Sequence, residues 1–201
     1  MTIRQTQAAY DQIAAQYATV NAAMPAELVS AAERFLQLVG SGALVLDLGC
    51  GAGRDMAWLA DRGAEVVGCD LSWAMIGQAR TAAAGPLLQM DMRHLGLRAS
   101  HFQGIWCCAS LLHLPRHKAP LALAEMQRVL VPGGLLFLSV QEGIGEGWER
   151  CSYATVERWF ARYSQNDLAE LLSGSGFTVL ETAVSRAGSC RWLQSFASAG
   201  K

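Results

Sequence analysis

Short apolar runs alternate with helical patterns along most of the chain. Residues 6–18 place Ala9, Ile13, Ala14 and Tyr17 on one helical face. A second helix starts near Pro25, a favoured first-turn residue, and Gly40 suits its end. Its apolar stripe is Leu28, Ala31, Ala32, Phe35, Leu36 and Val39. A buried strand over 43–48 leads into a glycine-rich turn and a helix over 54–62. Residues 65–70 are a second strand, after which Ser72 caps a helix to about Ala83. Strands follow at 87–90 and 104–108, then a helix over 118–130 that Val131-Pro132-Gly133-Gly134 stops, and a fifth strand at 135–140. Residues 141–163 read as irregular. Ser164 with Asp167 forms a capping-box pattern that opens a helix to about Ser173. Strands near 177–184 and 190–196 close the chain, with Arg186-Ala187-Gly188-Ser189 as a hairpin turn, so the last pair is antiparallel. Strands alternating with helices predict an α/β fold: a mostly parallel sheet of seven strands, helices on both faces and an antiparallel last strand.

Length and composition narrow this further. A chain of 201 residues without a linker or repeat reads as a single domain, 1–201. Within it, 1–40 holds the N-terminal helices, 41–140 the first half of the sheet, and 141–201 a second half with the closing strands. The chain is 52% hydrophobic and 16% charged, which places it among globular proteins. Sixteen basic residues against seventeen acidic ones argue against DNA or an anionic membrane as partner. No stretch has the roughly 18 apolar residues of a membrane span, and Met1 to Gln7 has no signal-peptide core. The six cysteines show neither a C-x-x-C pair nor zinc spacing, so a reducing, cytoplasmic compartment is expected.

The turn after the first strand carries the chemistry. It reads Asp47-Leu48-Gly49-Cys50-Gly51-Ala52-Gly53. Glycines there let backbone approach a ligand, and the helix that follows offers free N–H groups. The dinucleotide fingerprint G-x-G-x-x-G needs a third glycine where this chain has Arg54. Asp47 opposes a pyrophosphate but suits a ligand bearing an ammonium group. Asp70, at the tip of the second strand, is placed to accept hydrogen bonds from ribose hydroxyls. A ribose and an amino acid without phosphate describe S-adenosylmethionine. A nicotinamide-dependent oxidoreductase is the weaker alternative.

These residues resemble the first two motifs of the class I S-adenosylmethionine-dependent methyltransferases. Gln89-Met90-Asp91-Met92 is similar to the family's third-strand acidic motif, and residues 102–114 to its fourth-strand motif and the segment after it. Glu125 to Gly134 resembles the stretch before its fifth strand, and Tyr10-Asp11 to Tyr17-Ala18 its N-terminal lid helix. The match runs in order over residues 8–182 and implies a Rossmann-like sheet. It implies that Asp47, Gly49, Cys50 and Gly51 cradle the methionine portion, that Asp70 binds the ribose, and that Leu71 packs on the adenine. It further implies that Asp91 and Met92 frame the adenine edge, that Cys108 sits near the methionine end, and that Tyr10 and Tyr17 close over the cofactor. The chain departs from the pattern at Gln103 and Leu112, and it has no Asn/Asp-Pro-Pro-Tyr/Phe motif, against a DNA-base acceptor.

The resemblance implies methyl transfer by in-line displacement to a small-molecule acceptor, by a monomer or homodimer. A non-enzymatic S-adenosylmethionine-binding regulator and an RNA methyltransferase stay open. His113, just past the fourth strand, is the candidate general base. His113 and His117 are four apart, but Pro115 lies between them and no third ligand is evident, so no metal is expected. Glu142, Trp148, Arg150 and Arg191 are the candidate acceptor-binding residues, with Tyr153, Arg158, Trp159 and Tyr163 continuing the same lid segment. Arg150 and Arg191 would suit an anionic group on the acceptor.

Overall fold

The structure is a computed structural model and describes residues 2–150 and 154–200. Two helices lead, α1 (Thr2–Val20) and α2 (Ala26–Val39). Pro25 stands one position before α2, as its cap, and Gly40 ends the helix at φ +88°. Then come β1 (Leu44–Leu48), α3 (Arg54–Ala60), β2 (Glu65–Asp70), α4 (Trp73–Ala82), β3 (Leu87–Gln89) and β4 (Phe102–Cys108). Short 3₁₀ turns at Leu111–His113 and Arg116–Lys118 precede α5 (Ala119–Val129) and β5 (Leu130–Gln141). The chain continues through β6 (Glu146–Arg150), β7 (Glu157–Ala161), α6 (Gln165–Gly174), β8 (Phe177–Ala187) and β9 (Cys190–Ala199).

Seven strands form one sheet in the order β3-β2-β1-β4-β5-β9-β8. The first five are parallel, and β9 runs antiparallel to both β5 and β8. This is the expected Rossmann-like sheet. The capping box at Ser164 and Asp167 is present in full. Two details differ from expectation. Leu130 to Gly134 belong to β5, because a register shift between Phe102 and Gly104 lets Leu130 pair with Phe102. Residues 146–150 and 157–161 are not irregular: β6 and β7 pair antiparallel in a separate two-stranded sheet, with Glu149 opposite Arg158 and Arg150 opposite Glu157. Tyr153 and Cys151 lie outside the described residues.

Period-2 alternation sorts the sheet into two cores. Leu46, Ile105, Cys107, Leu136 and Leu138 face α5 and α6, where Ala122, Leu123, Met126, Leu168 and Leu172 cover them. Val45, Trp106, Leu135 and Phe137 face α2 and α3, where Ala32, Phe35, Met56 and Leu59 cover them. On this second face Trp106 stacks on Phe137 at 3.9 Å between centroids and meets Phe35 edge-on at 5.3 Å. Gly104 gives α2 its close approach: a Cβ there would stand 2.6 Å from the Phe35 ring and 2.8 Å from Val39. No helix among the described residues is long and apolar enough to cross a membrane.

The contact at Gly104 makes a test. Overfilling a packed core costs about 1–3 kcal/mol. Gly104→Ala is expected to lower the unfolding free energy by an amount in that range, read as a lower urea midpoint at an unchanged denaturant slope; an unshifted midpoint would show that α2 does not pack this closely.

Candidate active site

The carboxyl ends of β1, β2 and β4 open into a cleft of about 780 Å³, counting its open mouth, roofed by α1. Its floor is the glycine turn. Gly49, Gly51 and Gly53 all have positive φ, at +83°, +53° and +86°. The N–H groups of Gly49 and Cys50 both donate to the Cys69 carbonyl, at 2.7 and 3.0 Å, which folds the turn back over β2. A Cβ at Gly49 would lie 1.9 Å from the Ser110 hydroxyl oxygen, so only glycine fits. Asp70 locks the arrangement. Its Oδ2 accepts from Gly51 N at 2.9 Å and its Oδ1 from Ser72 N at 2.8 Å. Burial raises its pKa against the lowering effect of these bonds.

Tyr10, Tyr17, Gly49, Gly51, Asp70, Leu71, Asp91, Met92 and Cys108 all line this cleft. Asp91 is gripped by Arg93 through both carboxylate oxygens; burial raises its pKa, but the Arg93 bonds prevail and hold it below the ordinary value. Two expected members do not line the cleft. The Cys50 side chain is buried, and burial followed by the charges of Asp47 and Asp70 pushes its thiol pKa far up. Asp47 is 2% exposed, and its Oδ2 has no hydrogen-bond partner among the described residues. Burial, then the neighbouring Asp55, raises its pKa. A buried acceptor without a donor is costly, and an ammonium donor would satisfy it.

Several cleft residues carried no readable sequence signal. Thr6, Gln7 and Ile3 of α1 line it, and Gln7 donates to the Leu71 carbonyl at 3.1 Å. Asp11 pins α1 to the start of α4, accepting from Ser72 Oγ at 2.5 Å and Ala74 N at 3.2 Å. A carboxylate is favourable at a helix N-terminus.

A second cleft of about 1010 Å³, again counting its mouth, lies beyond the first. Tyr10, Tyr17, Cys108, Ala109 and His113 line both, so they form a shared wall. Ala109 holds φ at +51°, a strained value for a residue with a Cβ, right at this wall. The other side is built by Ser139 and Gln141 of β5, Trp192 and Gln194 of β9, and Arg158 and Phe160 of β7.

The acceptor-binding residues expected from sequence are elsewhere. Glu142, Trp148, Arg150 and Arg191 line neither cleft. Glu142 and Arg191 form an ion pair with each other. Trp148 packs edge-on against Trp159 and is partly exposed. Arg150 lies on the exposed side of β6, and it is Arg158, on the paired strand β7, that reaches the cleft.

His113 is at the shared wall, but both ring nitrogens are engaged. Nδ1 lies 2.7 Å from the Trp159 carbonyl oxygen and Nε2 2.7 Å from the Tyr10 hydroxyl. A carbonyl only accepts, so Nδ1 carries the proton and Nε2 accepts from Tyr10. Burial lowers the His113 pKa to about 4; the Trp159 bond opposes this and the Arg158 charge adds to it. Tyr10 in turn accepts from Arg158 Nη1 at 3.0 Å. Burial, followed by Tyr10, raises the pKa of Tyr17, and burial, followed by Asp55, raises that of Cys108. Among the described residues no group of three or more His, Cys, Asp or Glu could hold a metal.

Residues 45–134 match the family model described as a methyltransferase domain. Methyltransferase GfsG of Streptomyces halstedii is 36% identical over 109 residues, covering 50% of this chain and 38% of that protein. A ubiquinone biosynthesis O-methyltransferase of Azoarcus sp. (strain BH72) is 36% identical over 106 residues, covering 49% of this chain and 44% of that protein. The chain thus spans less than half the length of these relatives. Among solved structures, the 1,6-didemethyltoxoflavin-N1-methyltransferase of Burkholderia thailandensis superposes with a TM-score of 0.77 at 20% identity, covering 100% of this chain and 92% of that one. Residues 45–134 thus match a methyltransferase domain, and the chain shares the fold of S-adenosylmethionine-dependent methyltransferases of known structure.

The low pKa of His113 yields a stability prediction. The unfolded imidazole titrates near 6.5 and the folded one near 4. Between these values the unfolded chain binds the extra proton, so stability falls as pH falls. The contribution is fully present above pH 6.5 and is lost by pH 4. A shift of this size is worth roughly 3 kcal/mol in all. Unfolding free energy measured from pH 7 to 4.5 is expected to drop more steeply in the wild type than in His113→Gln; parallel curves would refute the buried neutral imidazole.

Proposed function

We propose that this chain binds S-adenosylmethionine in the first cleft, as a single methyltransferase domain, and transfers its methyl group to a small molecule held in the second. The observation that carries the reading is the glycine cradle closed by Asp70 at the carboxyl ends of parallel strands, beside the orphan carboxylate oxygen of Asp47. Asp70 lies where ribose hydroxyls would be accepted, and Leu71 and Met92 offer apolar contact to a flat base. Asp91 and Met92 frame the adenine end, Gly49 and Gly51 admit the amino-acid end, and Asp47 supplies the carboxylate for an ammonium. Cys108, Tyr10 and Tyr17 stand at the wall toward the acceptor.

When bound, S-adenosylmethionine supplies an electrophilic methyl on a sulfonium centre. The chain's share of catalysis is alignment and the exclusion of water. Helix α1 roofs the first cleft through Gln7, Asp11 and Thr6, whose hydroxyl accepts from Trp159 N at 3.2 Å. His113 acts as a positioning residue: its Nε2 accepts a hydrogen bond from the Tyr10 hydroxyl and so fixes where the phenol oxygen points. Aromatic faces such as Tyr10 and Tyr17 also attract a sulfonium cation. Two adjoining clefts that share a wall fit a small acceptor better than a polymer.

Calorimetric titration with S-adenosylmethionine checks this. The wild type is expected to bind, Asp70→Asn at least tenfold more weakly, and Gly49→Ala not measurably, since its Cβ collides with Ser110. Folded wild-type protein that gives no binding heat and no thermal shift would overturn the reading.

A further inference from the structure

We propose that the second cleft takes a small organic carboxylate, held by the guanidinium of Arg158 and methylated on a carboxylate oxygen without any proton passing to the protein. This rests on the methyl-transfer reading and adds the class of acceptor. Two observations carry it.

The first is the charge of the walls. Three guanidinium groups, Arg54, Arg158 and Arg186, line the cleft against one carboxylate, Glu27. Arg54 is bonded to Asp55 at 2.6 Å, which offsets its charge. Arg186 is exposed on β8, at the cleft's solvent side. Arg158 stands against the shared wall at Tyr10 and His113. It donates to Tyr10, and its guanidinium carbon lies 5.3 Å from the Tyr10 ring and 5.2 Å from that of Phe160. Ring contacts hold the fork of donors in a defined orientation, and that planar fork matches a carboxylate better than a point charge does. Trp192, Phe160 and Leu112 leave an apolar slot for the rest of the molecule.

The second is that, among the described residues, each titratable side chain named at the shared wall is either already hydrogen-bonded or keeps its proton. Both nitrogens of His113 are occupied, and Tyr17 and Cys108 keep their protons. An alcohol must lose a proton during attack and needs a base to take it. A carboxylic acid has already lost its proton at neutral pH. The carboxylate oxygen's lone pair forms the new C–O bond as the methyl C–S bond breaks. The bonding pair stays on sulfur and cancels its positive charge, the ester is neutral, and no proton moves.

The test uses the full chain saturated with S-adenosylhomocysteine. Phenylacetate, 3-phenylpropionate, indole-3-acetate and octanoate, with the primary amide of each, are titrated by calorimetry. At least one carboxylate is expected to bind tenfold or more tightly than its amide. That ratio should fall to within twofold in Arg158→Met and be partly kept in Arg158→Lys. With S-adenosylmethionine present, the bound acid should appear as its methyl ester by mass spectrometry. The proposal is overturned if no carboxylate outbinds its amide, if the bound acid is not esterified, or if the preference persists in an Arg158→Met protein with unchanged circular dichroism. Should Arg158→Met fail to fold, the wild-type ratios and Arg158→Lys still decide. Repeating the acid–amide comparison without S-adenosylhomocysteine separates failure of this proposal from failure of the cofactor reading.

Discussion

The carboxylate of Asp70 is the tie on which the site depends. It stands at the tip of β2 and takes one N–H from the turn after β1 and one from the start of α4. Two βα turns that would otherwise move separately are thereby held at a common spacing. The Cys69 carbonyl reinforces the tie by accepting from Gly49 and Cys50. The cleft walls inherit their positions from this: Ser72, fixed through its N–H, receives α1 through Asp11, and Leu71 receives it through Gln7. A carboxylate desolvated in this way is unfavourable in isolation, and its backbone donors offset that cost.

The hydrophobic core reaches the same place from beneath. Trp106 is fully buried and stacked on Phe137, so its ring has no freedom to turn. Its indole N–H ends on Asp55 at 2.9 Å, and Asp55 in turn holds Arg54. A chain of contacts therefore runs from the packing of β4 on β5 to a cation on the wall of the second cleft. The same Asp55 raises the pKa of Asp47. Packing on the α2 face of the sheet and charge under the glycine turn are parts of one arrangement.

Much of the framework was legible in the chain because local rules and global fold agree there. The apolar runs of β1, β4 and β5 are buried on both faces, so each reads as a continuous apolar stretch. Ser164 and Asp167 declare a helix start through their spacing alone. The pairing of β6 and β7 was not legible because its alternation is inverted. Trp148 lies on the exposed side of β6, while Glu149 is half-buried and paired with Arg162. That inversion is also why Arg150 looked like the cleft cation and Arg158 did not. The left-handed backbone at Ala109 and the bonds that occupy His113 depend on distant partners, Ser139 and Trp159 among them, and so leave no trace in sequence spacing.

Helix α1 carries Tyr10 and Tyr17, which face both clefts. Its anchors are polar bonds from Thr6, Gln7, Tyr10 and Asp11 together with a small apolar seam of Ala9, Ile13 and Ala14. On the proposed reading, a helix that walls both spaces is steadied by whatever fills either. The first ligand to arrive bears the entropy of ordering it, and the second binds to a wall already formed. Two such occupants would be thermodynamically linked, each tightening the other by an equal factor across the five described residues that line both clefts.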